Sequence, residues 1–386
     1  MITRTCNSCT ACSRTQLSVE SNRFWIPRHL VLEVTNQCNL DCIMCERRIV
    51  KPNNLMSPEI FESAMNRISP VFQAIELSGL GEPTLRKDFA MLASEVQNRG
   101  KVLYFPTNGA DLKGEKLSVL RDSDKTRINF SVDAATAETY GKIRVDLQHK
   151  PSNFKSLIDT IESCRETKPN ARLIMSFTAA AYNIDEFPDF VDLANTLGVN
   201  QVSFKPVRCW SLQPEQNSLR YQKDRTEYAI TSAVERSGRV RVLIERPYYS
   251  DSFENFGNQP GFINYLDILP LDVIECGNGG SGTTGGTTMT TGTEIGTDAL
   301  NAEIQEMGVL DSIDMRGKEV AFTDNVALIT VDGIICSCAA RHPIGDVFTM
   351  DFKSLLENDR YQNHLAARSE GRALESQWCR SCEKMM

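Results

Sequence analysis

Six short β-rich runs alternate with helical segments through the first two thirds of the chain, and this alternation constrains the fold more than any other feature. The runs are Leu30–Thr35, Ala74–Leu77, Val102–Phe105, Arg127–Val132, Arg172–Thr178 and Gln201–Lys205. Between them, Ser57–Ile68, Asp88–Arg99, Phe154–Cys164 and Phe187–Leu197 place apolar residues at helical spacing. Asp88 has the chemistry of a helix start, and Gly100 and Gly198 that of helix stops. Strands joined through helices are expected to run parallel, through right-handed crossovers. The expectation is an α/β fold: a partial (β/α)6 TIM-like barrel over residues 30–245, preceded by an extension at 1–29 and followed by a small α+β unit at 246–386. In such a barrel, active-site groups belong at the C-terminal ends of the strands.

The 386 residues suffice for a barrel plus a smaller appended unit. A formal net charge of −8 argues against general binding to nucleic acid or anionic membranes. No stretch approaches the roughly 20 apolar residues of a membrane span. Met1 to Glu20 lacks an apolar signal core, so a cytoplasmic protein is expected. That bears on the thirteen cysteines. An odd number of closely spaced cysteines, with no export signal, points to metal ligation rather than disulfides.

Cys38, Cys42 and Cys45 follow the first β run directly. Their gaps of three and two residues let one loop present three thiolates to three irons of an iron–sulfur cube. No fourth cysteine is near in sequence, which leaves one iron open to a chelating ligand. A structural zinc loop is the alternative, but no histidine stands within the following hundred residues.

This CxxxCxxC segment resembles the signature of the radical S-adenosylmethionine superfamily. Ser78-Gly79-Leu80-Gly81-Glu82-Pro83 after the second run is similar to the family's GGEP motif, which receives the methionine amino group. Thr107-Asn108-Gly109 closes the third run like the family's TNG turn. Ser131-Val132-Asp133 closes the fourth, where relatives set polar groups against the ribose. The resemblance implies a [4Fe-4S] cluster on Cys38, Cys42 and Cys45. It implies S-adenosylmethionine held by Met44, Gly79, Gly81, Glu82, Asn108, Ser131 and Asp133. It also implies reductive cleavage to a 5′-deoxyadenosyl radical that abstracts a hydrogen atom from substrate. Ala137 to Arg144 looks family-like too, and reads as a packing helix.

In the last region, Val326–Thr330 and Ile334–Ser337 flank an Asp332-Gly333 turn, which reads as a hairpin. Asp351–Asn358 and Tyr361–Glu370 read as short helices before Cys379-Arg380-Ser381-Cys382. With Gly345-Asp346-Val347, this run resembles the shortened, twitch form of the SPASM domain. The resemblance implies an auxiliary [4Fe-4S] cluster on Cys276, Cys338, Cys379 and Cys382, with zinc as the alternative. Residues 277–297 form a Gly/Thr-rich insertion between the first of these and the hairpin.

Cys6, Cys9 and Cys12 have ferredoxin-like spacing, and Cys336 is a candidate to complete a third cluster; zinc and free thiols stay open there. Cys164 reads as a core thiol, and Cys209 as a buried one. Lys205, Arg208 and Glu245 stand near strand ends as candidate substrate groups. Oxidation or rearrangement of a small molecule such as a sugar, aminocyclitol or alcohol is the favoured reading. The auxiliary cluster would carry electrons, and a flavodoxin- or ferredoxin-type protein would be the reductant. A peptide maturase is the alternative enzyme, and an iron–sulfur electron carrier the non-enzymatic one.

Overall fold

The computed structural model describes residues 23–50, 53–207, 215–244, 319–337 and 343–369. Ten strands form one sheet: β1 (Arg23–Glu33), β2 (Ala74–Ser78), β3 (Val102–Thr107), β4 (Thr126–Ser131), β5 (Arg172–Ala179), β6 (Gln201–Pro206), β7 (Arg241–Ile244), β8 (Glu319–Ile329), β9 (Ile334–Cys336) and β10 (Pro343–Asp346). Their order is β10-β9-β8-β1-β2-β3-β4-β5-β6-β7. All pairings from β8 through β7 are parallel, and β9 and β10 add an antiparallel edge. The TIM-like wall expected from the sequence is present, lengthened by β7 at one end and β8 at the other.

Residue alternation along each strand builds two different layers. Leu30, Leu32, Ile75, Leu77, Leu103, Phe105, Ile128 and Phe130 belong to the main core, with helix residues such as Phe89, Leu92, Leu157 and Ile161. Phe177 packs 4.9 Å from Phe190 and 5.1 Å from Phe187, carrying that layer across β5. The intervening residues face the other way and are largely polar. Tyr104 and Ile174 form a small cluster apart from the main core.

Two elements differ from expectation. The first strand begins at Arg23, not Leu30, so it crosses the 29/30 boundary drawn from the sequence. Its early half is templated by β8, which pairs Arg23 with Glu319 and Leu32 with Ile329. A partner some three hundred residues away leaves no local signal. Pro27 cannot donate to the ladder, and the strand absorbs it in a register shift between Pro27 and His29. The segment expected as one helix over Ser57–Ile68 divides into an α-helix at Pro58–Ser63 and a π turn at Ala64–Ile68.

Gly100 and Gly198 stop their helices at φ 71° and 63°, as their sequence positions suggest. Asp88 precedes the helix Phe89–Asn98 but makes no side-chain cap. Instead Arg86 grips both of its carboxylate oxygens, at 2.8 and 2.6 Å. The same guanidinium donates to the carbonyls of Val34 and Met56, at 2.6 and 2.9 Å. The clamp thus fixes the chain just after β1. The Arg86 hydrogen bonds hold the Asp88 carboxyl below its usual range. A depressed folded-state pKa stabilises above the unfolded value and loses that contribution as pH falls through the folded one. Asp88→Asn should therefore flatten the acid limb of the Tm-against-pH curve below about pH 4; an unchanged acid limb would refute the clamp's role.

Candidate active site

β1 ends at Glu33, and the chain turns at once into the loop that holds Cys38, Cys42 and Cys45. Cys42 is buried, and the other two are half-buried. Burial pushes the Cys38 thiol up to about 12 and the Cys42 thiol up to about 11, and raises Cys45 as well. Three desolvated thiols that bear on one another's charge are poor thiolates alone. Bound metal cations supply the positive charge that burial withholds, so the donor set fits a metal centre. Among the described residues, no three His, Cys, Asp or Glu side chains converge on a point that one ion could fill. A cluster whose irons each take one thiolate asks for no such convergence. The Leu40 amide already donates to the Cys38 sulfur at 3.4 Å.

The loop is gripped from two sides. On one, the Gly81 amide donates to the Thr35 carbonyl at 3.1 Å, and the Glu82 amide to the Gln37 carbonyl at 2.7 Å. Glycine is required here by the cluster loop itself. A Cβ on Gly81 would lie 2.4 Å from the Gln37 oxygen, and one on Gly79, at φ 133°, 2.7 Å from the Thr35 oxygen. The Glu82 carboxylate, 3% exposed, accepts from Thr84 Oγ1 at 2.6 Å, Thr107 Oγ1 at 2.8 Å and the Asn108 amide at 2.6 Å. It therefore ties the β2 turn to the β3 turn. Burial raises its pKa against the pull of these donors. Asn108 completes the connection, donating to Asn39 Oδ1 inside the cluster loop at 2.8 Å.

On the other side, the chain after the helix Ala137–Ile143 pairs with the loop through its backbone. Asp41 N donates to Val145 O at 2.8 Å and Ile43 N to Ile143 O at 3.0 Å. Arg144, expected only in a packing helix, is the functional residue that sequence reading missed. Its Nη1 lies 3.6 Å from the Cys42 sulfur, and its Nε donates to Asp133 Oδ2 at 2.9 Å. Asp133 is fully buried at φ 63°, and its other oxygen accepts from the Thr178 amide at 2.7 Å. The carboxylate is thus committed to Arg144 and β5. Asp133 and the cysteine charge raise the Arg144 pKa against burial, so the cation persists. An arginine close after a strand-end aspartate was the available signal.

Met44 sits half-buried in the loop beside Cys45, and Ser131 half-buried at the end of β4, in register with Ser176. Cys164 is a core residue. Cys336 is buried in β9. Cys6, Cys9, Cys12, Cys209, Cys276, Cys338, Cys379, Cys382, Arg208, Glu245 and the 277–297 insertion lie outside the described residues.

The inner face of the wall carries a chain of polar side chains below this loop. His29 Nε2 lies 3.2 Å from Glu76 Oε2, and the His29 ring meets Tyr104 edge-on at 6.1 Å. Asn129 donates to the Tyr104 hydroxyl at 2.7 Å and accepts from Ser176 at 2.6 Å. Burial pushes the Glu76 carboxyl up, but His29, Ser78 and Lys205 outweigh it and hold it low.

Residues 32–194 match the family model of the radical SAM superfamily, and residues 322–383 that of SPASM, an iron–sulfur cluster-binding domain. A probable GTP 3′,8-cyclase of Methanocaldococcus jannaschii is 30% identical over 215 residues, 51% of this chain and 68% of that protein. A tungsten-containing aldehyde ferredoxin oxidoreductase cofactor-modifying protein of Pyrococcus furiosus is 26% identical, over 58% of this chain and 63% of its own length. Among solved structures, Streptococcus suis SuiB bound to S-adenosylmethionine aligns with TM-score 0.58 at 14% identity, covering 90% of this chain and 68% of SuiB. The enzyme anSMEcpe with bound AdoMet aligns at 0.54 and 15% identity, over 88% and 82%. Identities this low show a shared fold.

A parallel wall with a three-thiol loop at the end of its first strand defines a radical S-adenosylmethionine barrel. The chain belongs to the radical SAM superfamily and carries a SPASM domain; its cofactors are [4Fe-4S] clusters and S-adenosylmethionine.

Proposed function

We propose that this enzyme abstracts a hydrogen atom from a small polar molecule, leading to oxidation or rearrangement. The observation that carries the reading is the inner face of the wall. Glu76, Ser78, Asn129, Ser131, Ser176 and Lys205 give the face of the wall opposite the main core a set of hydrogen-bonding groups. Such a lining suits hydroxyl or amino substituents better than an apolar side chain. The names of two sequence relatives, a probable GTP 3′,8-cyclase and a cofactor-modifying protein, also point to small molecules.

When bound, the cluster and S-adenosylmethionine supply one-electron cleavage of the sulfonium and a hydrogen-abstracting radical. The chain's own residues do the rest. Cys38, Cys42 and Cys45 hold the metal, while Gly79, Gly81, Glu82 and Asn108 fix the loop that carries them. Met44 and Ser131 would face the nucleoside of bound S-adenosylmethionine. Cys276, Cys338, Cys379 and Cys382 would hold the auxiliary cluster, and a flavodoxin- or ferredoxin-type protein would bring the electrons. The competing substrate class is a peptide, as in SuiB bound to its precursor peptide SuiA.

Anaerobic reconstitution with S-adenosylmethionine and dithionite should yield 5′-deoxyadenosine, and Cys42→Ala should yield none. A dialysable fraction of cell extract should raise that yield above the substrate-free level. Stimulation by a peptide fraction alone would overturn the small-molecule reading. No cleavage, with clusters confirmed, would leave an electron carrier.

A further inference from the structure

The rim of the wall farthest from the cysteine loop gathers three guanidinium groups that the radical chemistry does not use. Arg127 on β4 and Arg172 on β5 are direct register partners, and Arg241 opens β7. Arg127 is 3% exposed, and its Nε is buried with no hydrogen-bond partner. Burial is the largest cause that pushes its pKa down, to about 10, and the charges of Arg172 and Arg241 add to it. Ile128, Val242 and Ile244 belong to the main core, so Arg127 and Arg241, which alternate with them, lie on the inner face. Asp124 and Tyr104 act in the opposite sense and offset part of this. Arg172 and Arg241 are half-buried, so the cluster meets solvent. From Arg127 to the strand end at Ser131 is roughly 13 Å at about 3.3 Å per residue. The Tyr104–Asn129–Ser176 hydrogen bonds lie between.

We propose that this N-terminal rim is a binding site for a phosphate-type oxyanion, held by Arg127, Arg172 and Arg241. A buried guanidinium flanked by two more is unfavourable without a counter-charge, and planar N–H forks match the oxygens of a phosphoryl group. The site is separate from the S-adenosylmethionine side and stands whatever the substrate there. The same chemistry is offered by free phosphate and by the phosphate of a nucleotide, so both are tested.

Titration calorimetry on the full-length, cluster-loaded protein with inorganic phosphate, pyrophosphate and AMP should show saturable binding of at least one. Arg172→Gln/Arg241→Gln alters only half-buried rim residues, and should weaken that binding about tenfold or more. AMP binding without phosphate or pyrophosphate binding would assign the site to nucleotides; the reverse, to free phosphate. In phosphate-free buffer Arg127→Met should raise Tm, because it removes a buried cation whose Nε has no hydrogen-bond partner, and saturating ligand should then stabilise the wild type but not the variant. No saturable binding by any of the three, or binding unchanged in the double variant, overturns the proposal. A lower Tm for Arg127→Met in phosphate-free buffer does so too, since it reveals an internal counter-charge.

Discussion

Gly81→Ala should strip the protein of its iron while leaving the barrel folded. The added Cβ would fall 2.4 Å from Gln37 O, 2.7 Å from Gln37 N and 2.7 Å from Thr35 O, all backbone atoms. No rotamer change relieves such contacts, so either the turn or the cluster loop must move. Moving the loop breaks the Gly81-to-Thr35 and Glu82-to-Gln37 hydrogen bonds and displaces Cys38, the very next residue. Overpacking of this kind costs roughly 1–3 kcal/mol, and each broken hydrogen bond about 1 kcal/mol more. The main core does not pass through these atoms, so secondary structure by circular dichroism should persist. Iron per chain after reconstitution should fall to a small fraction of wild type. Gly100→Ala is the matched control: its Cβ meets nothing within 4 Å, although φ 71° carries its own backbone strain. It should lose about 1–2 kcal/mol of stability to the strain and keep its iron. A Gly81→Ala protein with full iron would show that the two turns are not coupled as described.

That coupling explains what the sequence could and could not disclose. The strands β2 to β6 were legible because each carries its own periodicity and each is flanked by its own turn. The cysteine spacing was legible because three ligands come from one loop. The glycines of the second turn were legible as a motif, but their physical cause was not. They read as places for a ligand to approach, whereas the structure shows the cluster loop's own carbonyls occupying that space. Only the fold brings residues 35–37 against 79–82.

Contacts between distant segments account for the rest. Nothing near Arg23 announces that β8 will pair with it, so the first strand was read seven residues too late. His29 and its partner Glu76 stand on neighbouring strands, forty-seven residues apart, which no local spacing reveals. Arg127 and Arg172 were likewise ordinary charged residues until register set them side by side. Asp133 was read toward a ribose because of its place at a strand end. In the fold its carboxylate turns back to Arg144, which the sequence had placed in a helix with no part in the chemistry.

Arg144→Met should therefore damage both stability and the metal centre, and the two effects should separate. Asp133 is fully buried, and without the guanidinium it keeps only the Thr178 amide as a donor. Removing one partner of a buried ion pair leaves an uncompensated charge and costs about 3–5 kcal/mol. Adding Asp133→Asn to Arg144→Met removes that charge and should recover a large part of the loss in denaturant unfolding. Arg144→Lys should recover little, because a single ammonium cannot reproduce the forked contact with Asp133 together with the approach to Cys42. The second effect survives the rescue. With the cation at 3.6 Å from the Cys42 sulfur gone, the reduced cluster loses a stabilising charge. Its midpoint potential should move negative by on the order of tens of millivolts in the single variant and remain displaced in the stable double variant. Spectroelectrochemical titration of the reconstituted proteins measures this directly. A potential that returns to the wild-type value in the double variant would reduce Arg144 to a packing partner of Asp133, and would remove it from the account of the metal centre.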